Sequence, residues 1–218
     1  LADELSDLAD SMIKVTLELS WTQLRKRHQA FPLFAVIAYG KLGGKEMGYA
    51  SDLDLVFLYD DEHPEAPEIY AKLAQRFNYL LTLRTGAGIL FETDLRLRPD
   101  GASGLMVSSI EAFRNYQRQS AWVWEHQALT RARYCAGDAA TGAAFEAERR
   151  HILSIQRNLE KLRAEVLDMR QQLFAAHPNP SDLFDLKHDR GGMVDIDFIA
   201  QYLQLGAARA APQVPWAG

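Results

Sequence analysis

One cysteine, Cys135, stands in 218 residues. That scarcity excludes an intrachain disulfide framework and a thiolate-rich zinc site, and leaves Cys135 as a weakly polar core residue. Histidine offers no alternative, since His63, His126, His151, His177 and His188 share no ligand spacing. Long apolar runs are missing, and the start lacks the pattern of a signal peptide, so a cytoplasmic location without a membrane partner is expected. Positive charge is not in excess. A formal net charge of -5, with no basic stripe interleaved with aromatics, argues against a nucleic-acid partner. The basic residues are local instead: Arg96, Arg98, Arg131 and Arg133 form the clearest group, suited to phosphates on a small ligand. Two familiar nucleotide loops are absent as well. Gly40 to Gly44 carries neither the Gly-Lys-Ser/Thr ending of a Walker loop nor the third glycine of a dinucleotide fingerprint.

What is present is an ordinary globular composition, 48% apolar and 24% charged. The chain opens inside an amphipathic pattern and stops at Pro215-Trp216-Ala217-Gly218 with no obvious final element, as expected of a piece of a larger protein. Leu5, Leu8, Met12, Leu17, Leu19 and Leu24 predict a helix over residues 3 to 28, ended by Pro32. Strands are expected at Phe34 to Tyr39 and Leu53 to Tyr59, then an acidic loop from Asp60 to Pro67 and a helix from Glu68 to Leu83. Ile89 to Leu97 alternates cleanly, with Phe91, Thr93, Leu95 and Leu97 on one face and Glu92, Asp94, Arg96 and Arg98 on the other. Pro99 ends it, and Gly101 to Gly104 reads as a flexible connector. Ser108 with Glu111 predicts a capping box, after which Trp122 to Tyr134, residues 142 to 176 and Val194 to Leu205 read as helices. The pattern is α+β: a mixed sheet unit over residues 1–107, then an all-helical unit over 108–218.

Asp52 and Asp54 carry the chemistry. Residues i and i+2 of a strand point the same way, so the two carboxylates converge while Leu53, Leu55 and Phe57 face a buried side. Like charges held together need a cation. Asp94, on the polar face of its own strand, is the expected third member. Three carboxylates and the substrate's phosphates suit Mg2+, and two such ions roughly 4 Å apart clamp the attacking and leaving oxygens of a nucleotidyl transfer. Asp52, Asp54 and Asp94 are therefore the candidate catalytic and metal residues. Gly43 and Gly44 supply the phosphate turn, Gly40 a close approach, and Lys41 and Ser51 reach toward phosphate or fix the turn. Arg96 and Arg98 share the face of Asp94 and suit a pyrophosphate leaving group. On the tryptophan-rich helix, Trp124 and Arg131 fall on one stripe toward the cleft, with Trp122 and Leu129 packed elsewhere. Asp195 and Asp197 lie two apart on a helix and diverge by about 200°, so they serve as a joint metal pair less easily than the strand pair, while one of them could contact the site across the cleft.

Gly40-Lys41-Leu42-Gly43-Gly44, Ser51-Asp52-Leu53-Asp54-Leu55, Asp94-Leu95-Arg96-Leu97-Arg98-Pro99 and Trp124 through Arg133, taken in that order with Gly191 to Ile199, resemble the glutamine synthetase adenylyltransferase family of bacteria. The likeness covers most of residues 20 to 205. It implies a nucleotidyltransferase (DNA polymerase β-like) fold, Mg2+, ATP as substrate and glutamine synthetase as the protein acceptor. By the same resemblance Asp52, Asp54 and Asp94 are the metal carboxylates and Gly43, Gly44 and Ser51 belong to the phosphate loop. Ala38 to Lys41 and Trp122 to His126 are more similar to the adenylylating half of these two-headed enzymes than to the half that removes AMP by phosphorolysis. The reverse activity and a non-catalytic partner-binding domain are the alternatives. The family implies regulation of the full-length enzyme by the signal protein PII and by glutamine. It usually has glutamate where this chain has Asp195 and Asp197.

Overall fold

A computed structural model describes residues 1–99, 101 and 104–207. Ala102 and Ser103 of the expected connector, and the closing segment 215–218, lie outside the described residues. The first helix, α1 (Ala2–Thr22), is shorter than its expected span. Beyond Leu24 comes Arg25-Lys26-Arg27, a run of like charge with nothing apolar to bury, and the helix has already ended. Two strands follow, β1 (Phe34–Ala38) and β2 (Leu53–Tyr59), joined by a single helical turn, α2 (Gly40–Gly43). Then come α3 (Ala66–Thr82), the two-residue β3 (Thr93–Asp94) and β4 (Val107–Ser109). The remainder is α4 (Ile110–Gln119), α5 (Val123–Leu129), β5 (Arg133–Gly137), α6 (Ala139–Leu153), α7 (Leu159–Ala176) and α8 (Met193–Ala207).

The sheet runs β3-β2-β1-β5, with β4 also on β2. Strand β1 is antiparallel to β2 and β5, whereas β3 and β4 lie parallel to β2 at its two ends. Alternation along β1 and β2 splits the interior into two cores. Phe34, Val36, Leu53, Leu55 and Phe57 face α1 and α3, where Ile13, Leu73 and Phe77 close the layer. Ala35, Ile37, Val56 and Leu58 face the later helices, meeting Phe113, Phe145, Ile152 and Leu162. Both faces of the central strands are covered, which is why β1 is apolar at all five positions.

Four local expectations are corrected. The segment Trp122 to Tyr134 is not one helix: α5 stops at Leu129 and β5 turns back to pair with β1, Ala38 opposite Arg133 and Ile37 opposite Tyr134. Without that partner the far edge of β1 would bury unpaired backbone groups. Gly137, at φ +107°, lets the ladder close, since a Cβ there would lie 2.1 Å from the Phe34 carbonyl oxygen. The helix expected over 142 to 176 is two, broken after Ser154 and restarted by Asn158, whose side chain accepts from the Lys161 N–H at 2.9 Å. The cap of α4 is Ser109, accepting from Ala112 N–H, one residue beyond the expected Ser108. The strand expected from Ile89 to Leu97 forms only at Thr93–Asp94. Phe91 and Leu95 pack on the α1–α3 core while Leu97 crosses to the other core, so the alternation does not persist.

Phe77 is fully buried, its ring set edge-on to Phe57 with centroids 5.5 Å apart. Phe77→Ala should lower the unfolding free energy by about 3–5 kcal/mol, read as a fall in the urea midpoint at unchanged slope. A loss below about 1 kcal/mol would mean that α3 does not close this face.

Candidate active site

Three elements bring the carboxylates together. Strand β2 supplies Asp54 and, directly before it, Asp52. The parallel pairing of β2 with β3 sets Asp54 beside Asp94 in register, and Leu53 N–H donates to the Glu92 carbonyl at 2.9 Å to start that ladder. Asp52, Asp54 and Asp94 then each offer an oxygen within 4.8 Å of the others, a group that could hold a metal ion. Asp52 is exposed and the other two are half-buried, so the trio opens to solvent at the sheet edge. Strand β3 is too short to hold itself in place. Thr93 Oγ1 donates to Asn78 Oδ1 of α3 at 2.6 Å, and that bond fixes the strand that carries Asp94. Asn78 was not legible as a site residue, being one of several polar residues on an amphipathic helix.

Electrostatics separates the three. Burial, then the charges of Asp52 and Asp94, push Asp54 up to about 6, partly offset by Lys41 and Arg96. Asp94 moves the other way. The Arg96 guanidinium donates to both its oxygens, Nε at 3.0 and 2.9 Å, and holds its carboxyl below the usual range. Arg96 is itself exposed, tethered to the site by this fork alone among the bonds at its side chain described here.

The glycine turn is a turn of helix rather than an open loop. Gly40 sits at φ +55°, and a Cβ there would come within 2.2 Å of Asp54 Oδ2. Its lack of a side chain makes room for the carboxylate. Gly43 is buried against the backbone of the α5–β5 connection, where a Cβ would lie 2.0 Å from the Arg131 carbonyl oxygen. Lys41 is exposed, with its charge acting on Asp54. Ser51 fixes the turn, its Oγ accepting from Gly48 N–H at 2.9 Å.

The four arginines do not form one free cluster. Arg98 donates to the carbonyls of Leu95 (2.6 Å) and Gly104 (3.2 Å). Arg131 pairs with Glu46 and, at 3.0 Å, with Asp197. Arg133 donates to Asp10 at 2.8 Å and to the Leu42 carbonyl. Of the four, Arg96 hydrogen-bonds to the carboxylate trio, and the charge of Arg98 also acts on Asp94. Trp122, expected to pack, is 71% exposed, and Arg131 lies past the end of α5 rather than on its stripe. Asp195 and Asp197 diverge as helical geometry requires, the first to Arg170 of α7 and the second to Arg131. Burial and the neighbouring Asp10 carboxylate push the Cys135 thiol up, which leaves it protonated and inert.

An open mixed sheet whose middle strand carries paired carboxylates, completed by a third on the parallel neighbour and backed by a helical region, is the DNA polymerase β-like nucleotidyltransferase fold. The sequence profile of the glutamate-ammonia ligase adenylyltransferase family matches residues 1–148, and the chain belongs to that family. Its relatives include the bifunctional glutamine synthetase adenylyltransferase/adenylyl-removing enzymes of Nitrosomonas europaea (59% identical, 98% of this chain), Aromatoleum aromaticum (61%, 98%) and Chromobacterium violaceum (57%, 97%). The chain spans 23–24% of the length of these relatives. Among the described residues no helix is long and apolar enough to cross a membrane.

The raised Asp54 gives a signed pH dependence. Its folded value of about 6 lies above the ordinary 3.8, so the folded state holds this proton more tightly. The contribution favours folding at low pH and is lost as pH rises through about 6. Metal-free Asp54→Asn should therefore melt higher than wild type at pH 8, with the gap closing at pH 5. A gap that is unchanged between the two pH values would contradict the raised value of Asp54.

Proposed function

We propose that this chain carries a magnesium-dependent site that transfers AMP from ATP to a tyrosine of glutamine synthetase and releases pyrophosphate. One observation carries the reading most: three carboxylates converge within 4.8 Å, and burial, with the charges of the other two, pushes the middle one up in pKa. An all-oxygen donor set with no histidine or thiolate suits Mg2+ rather than zinc. Asp52 and Asp54 would hold the ions that carry the ATP phosphates, with Asp94 completing the set for the second. Magnesium, when bound there, neutralises phosphate charge and acidifies the acceptor hydroxyl.

The chain's own groups do the rest. Asp94, held ionised by Arg96, is a better cation ligand than a base. Arg96, exposed and bonded to Asp94 at the open edge of the site, would be the cation nearest the triphosphate, where charge builds on the leaving group. Lys41, on the same turn as Gly40, Gly43 and Gly44, supplies a second positive charge. The tyrosine oxygen attacks the α-phosphorus, the bond to the β-phosphate oxygen breaks, and the phenolic proton leaves to solvent or carboxylate. An acceptor borne on a protein is compatible with a trio set at an open edge. Two cavities of about 640 Å³ are lined by other residues, one between the segment that follows α1 and helix α3, and one along α7 and α8. PII and glutamine are proposed as regulators of the full-length protein, in the cytoplasm, with no nucleic-acid partner.

With ATP labelled at the α-phosphate, label should pass to unmodified glutamine synthetase when Mg2+ is present and not when it is chelated. Asp54→Asn should cut the rate at least about a hundredfold with the fold retained. Release of AMP from adenylylated glutamine synthetase by phosphate, with no forward labelling, would assign the site to the opposite reaction.

A further inference from the structure

The glycine turn is tied to the helical region through one side chain. Arg131 follows α5, and its guanidinium spans two carboxylates from opposite directions: Glu46, just past the turn, and Asp197 on α8 at 3.0 Å. Its backbone and stem lie against the turn itself. A Cβ at Gly43 would meet the Arg131 carbonyl oxygen at 2.0 Å, and one at Gly44 would meet Arg131 Nε at 3.3 Å. That Nε is buried without a hydrogen-bond partner, so the planar group is set by its two ion pairs and by packing. One helical turn beyond Asp197, Gln201 accepts from Gln127 Nε2 at 3.0 Å, so α8 meets the α5 segment at i and i+4. Val194 and Leu205 bury the neighbouring stripe of α8. At the other end of the turn, Gly40 abuts the Asp54 carboxylate. The contacts run without a gap from α8 through Asp197, Arg131 and the turn to Asp54.

We propose that Arg131 is a positioning residue, a strut by which the placement of α8 sets the glycine turn and with it the phosphate side of the carboxylate site. This rests on the reading of that site given above. Arg131 acts on the substrate through the turn and not by touching phosphate, because both ends of its fork are taken by carboxylates. Asp195, two residues away, faces Arg170 of α7 and accepts from Gly191 N–H at 2.6 Å, which joins α8 to the rest of the helical region. A displacement of that region is therefore passed to the turn as a pull on Arg131.

Amide hydrogen exchange without any ligand decides the matter. Gly43, Gly44 and Glu46 donate to Tyr39, Gly40 and Lys41 carbonyls, and these three bonds report whether the turn is held. In Asp197→Asn their exchange should quicken roughly fivefold, consistent with loss of one partly exposed ion pair. Asp197→Glu, which keeps the charge, should restore the wild-type rate. Combining Asp197→Asn with Arg131→Met should be no faster than Arg131→Met alone. Faster exchange confined to α8, with the turn at its wild-type rate, would overturn the strut, as would effects that multiply in the double variant. Asp197 is half-exposed, so its variants keep the test open if Arg131→Met fails to fold. Mg-ATP titration of the wild type separately tests the site reading: no binding there would sink that reading, while the exchange rates still judge the strut.

Discussion

The half-buried Asp54 carboxylate, held close to the charges of Asp52 and Asp94, is the constraint on which the site depends. Burial first, and then the two carboxylates whose oxygens lie within 4.8 Å, push Asp54 up to about 6. Folding tolerates the cost of ionising it because two apolar cores, one on each sheet face, hold the β2 backbone that carries Asp54. A carboxylate strained in this way binds a divalent cation more tightly, since the ion relieves a repulsion already present in the free protein.

Each neighbour of the trio follows from that charge. Gly40 exists without a side chain because Asp54 occupies the space where a Cβ would be. Arg96 folds onto Asp94 and partly screens it. Asn78 pins a two-residue strand that has too few ladder bonds to keep Asp94 in register alone. Arg131, further out, is committed to carboxylates on both sides, which makes it part of the support of the turn.

Much of this was legible in the residues. The i, i+2 spacing of Asp52 and Asp54 fixes their common face, and the alternating Leu53, Leu55 and Phe57 bury the other. Asp94 was readable as a candidate from its polar face, but its distance was not, because parallel register between strands forty residues apart leaves no local trace. Strand β5 escaped notice for a different reason. Arg133-Tyr-Cys-Ala-Gly neither alternates nor carries β-branched residues, and only the open edge of β1 makes it a strand. The arginines failed as a cluster because sequence proximity of Arg131 and Arg133 says nothing of their partners. Glu46 and Asp197 lie 85 and 66 residues from Arg131.

The most direct test of the central claim is anomalous scattering from crystals of this protein grown with Mn2+ as a stand-in for Mg2+. The account predicts a peak in direct coordination with Asp52 and Asp54, and the Asp94 fork from Arg96 opened toward it. Crystals saturated with Mn2+ that show no peak among the three carboxylates, with Asp94 still closed on Arg96, would contradict it.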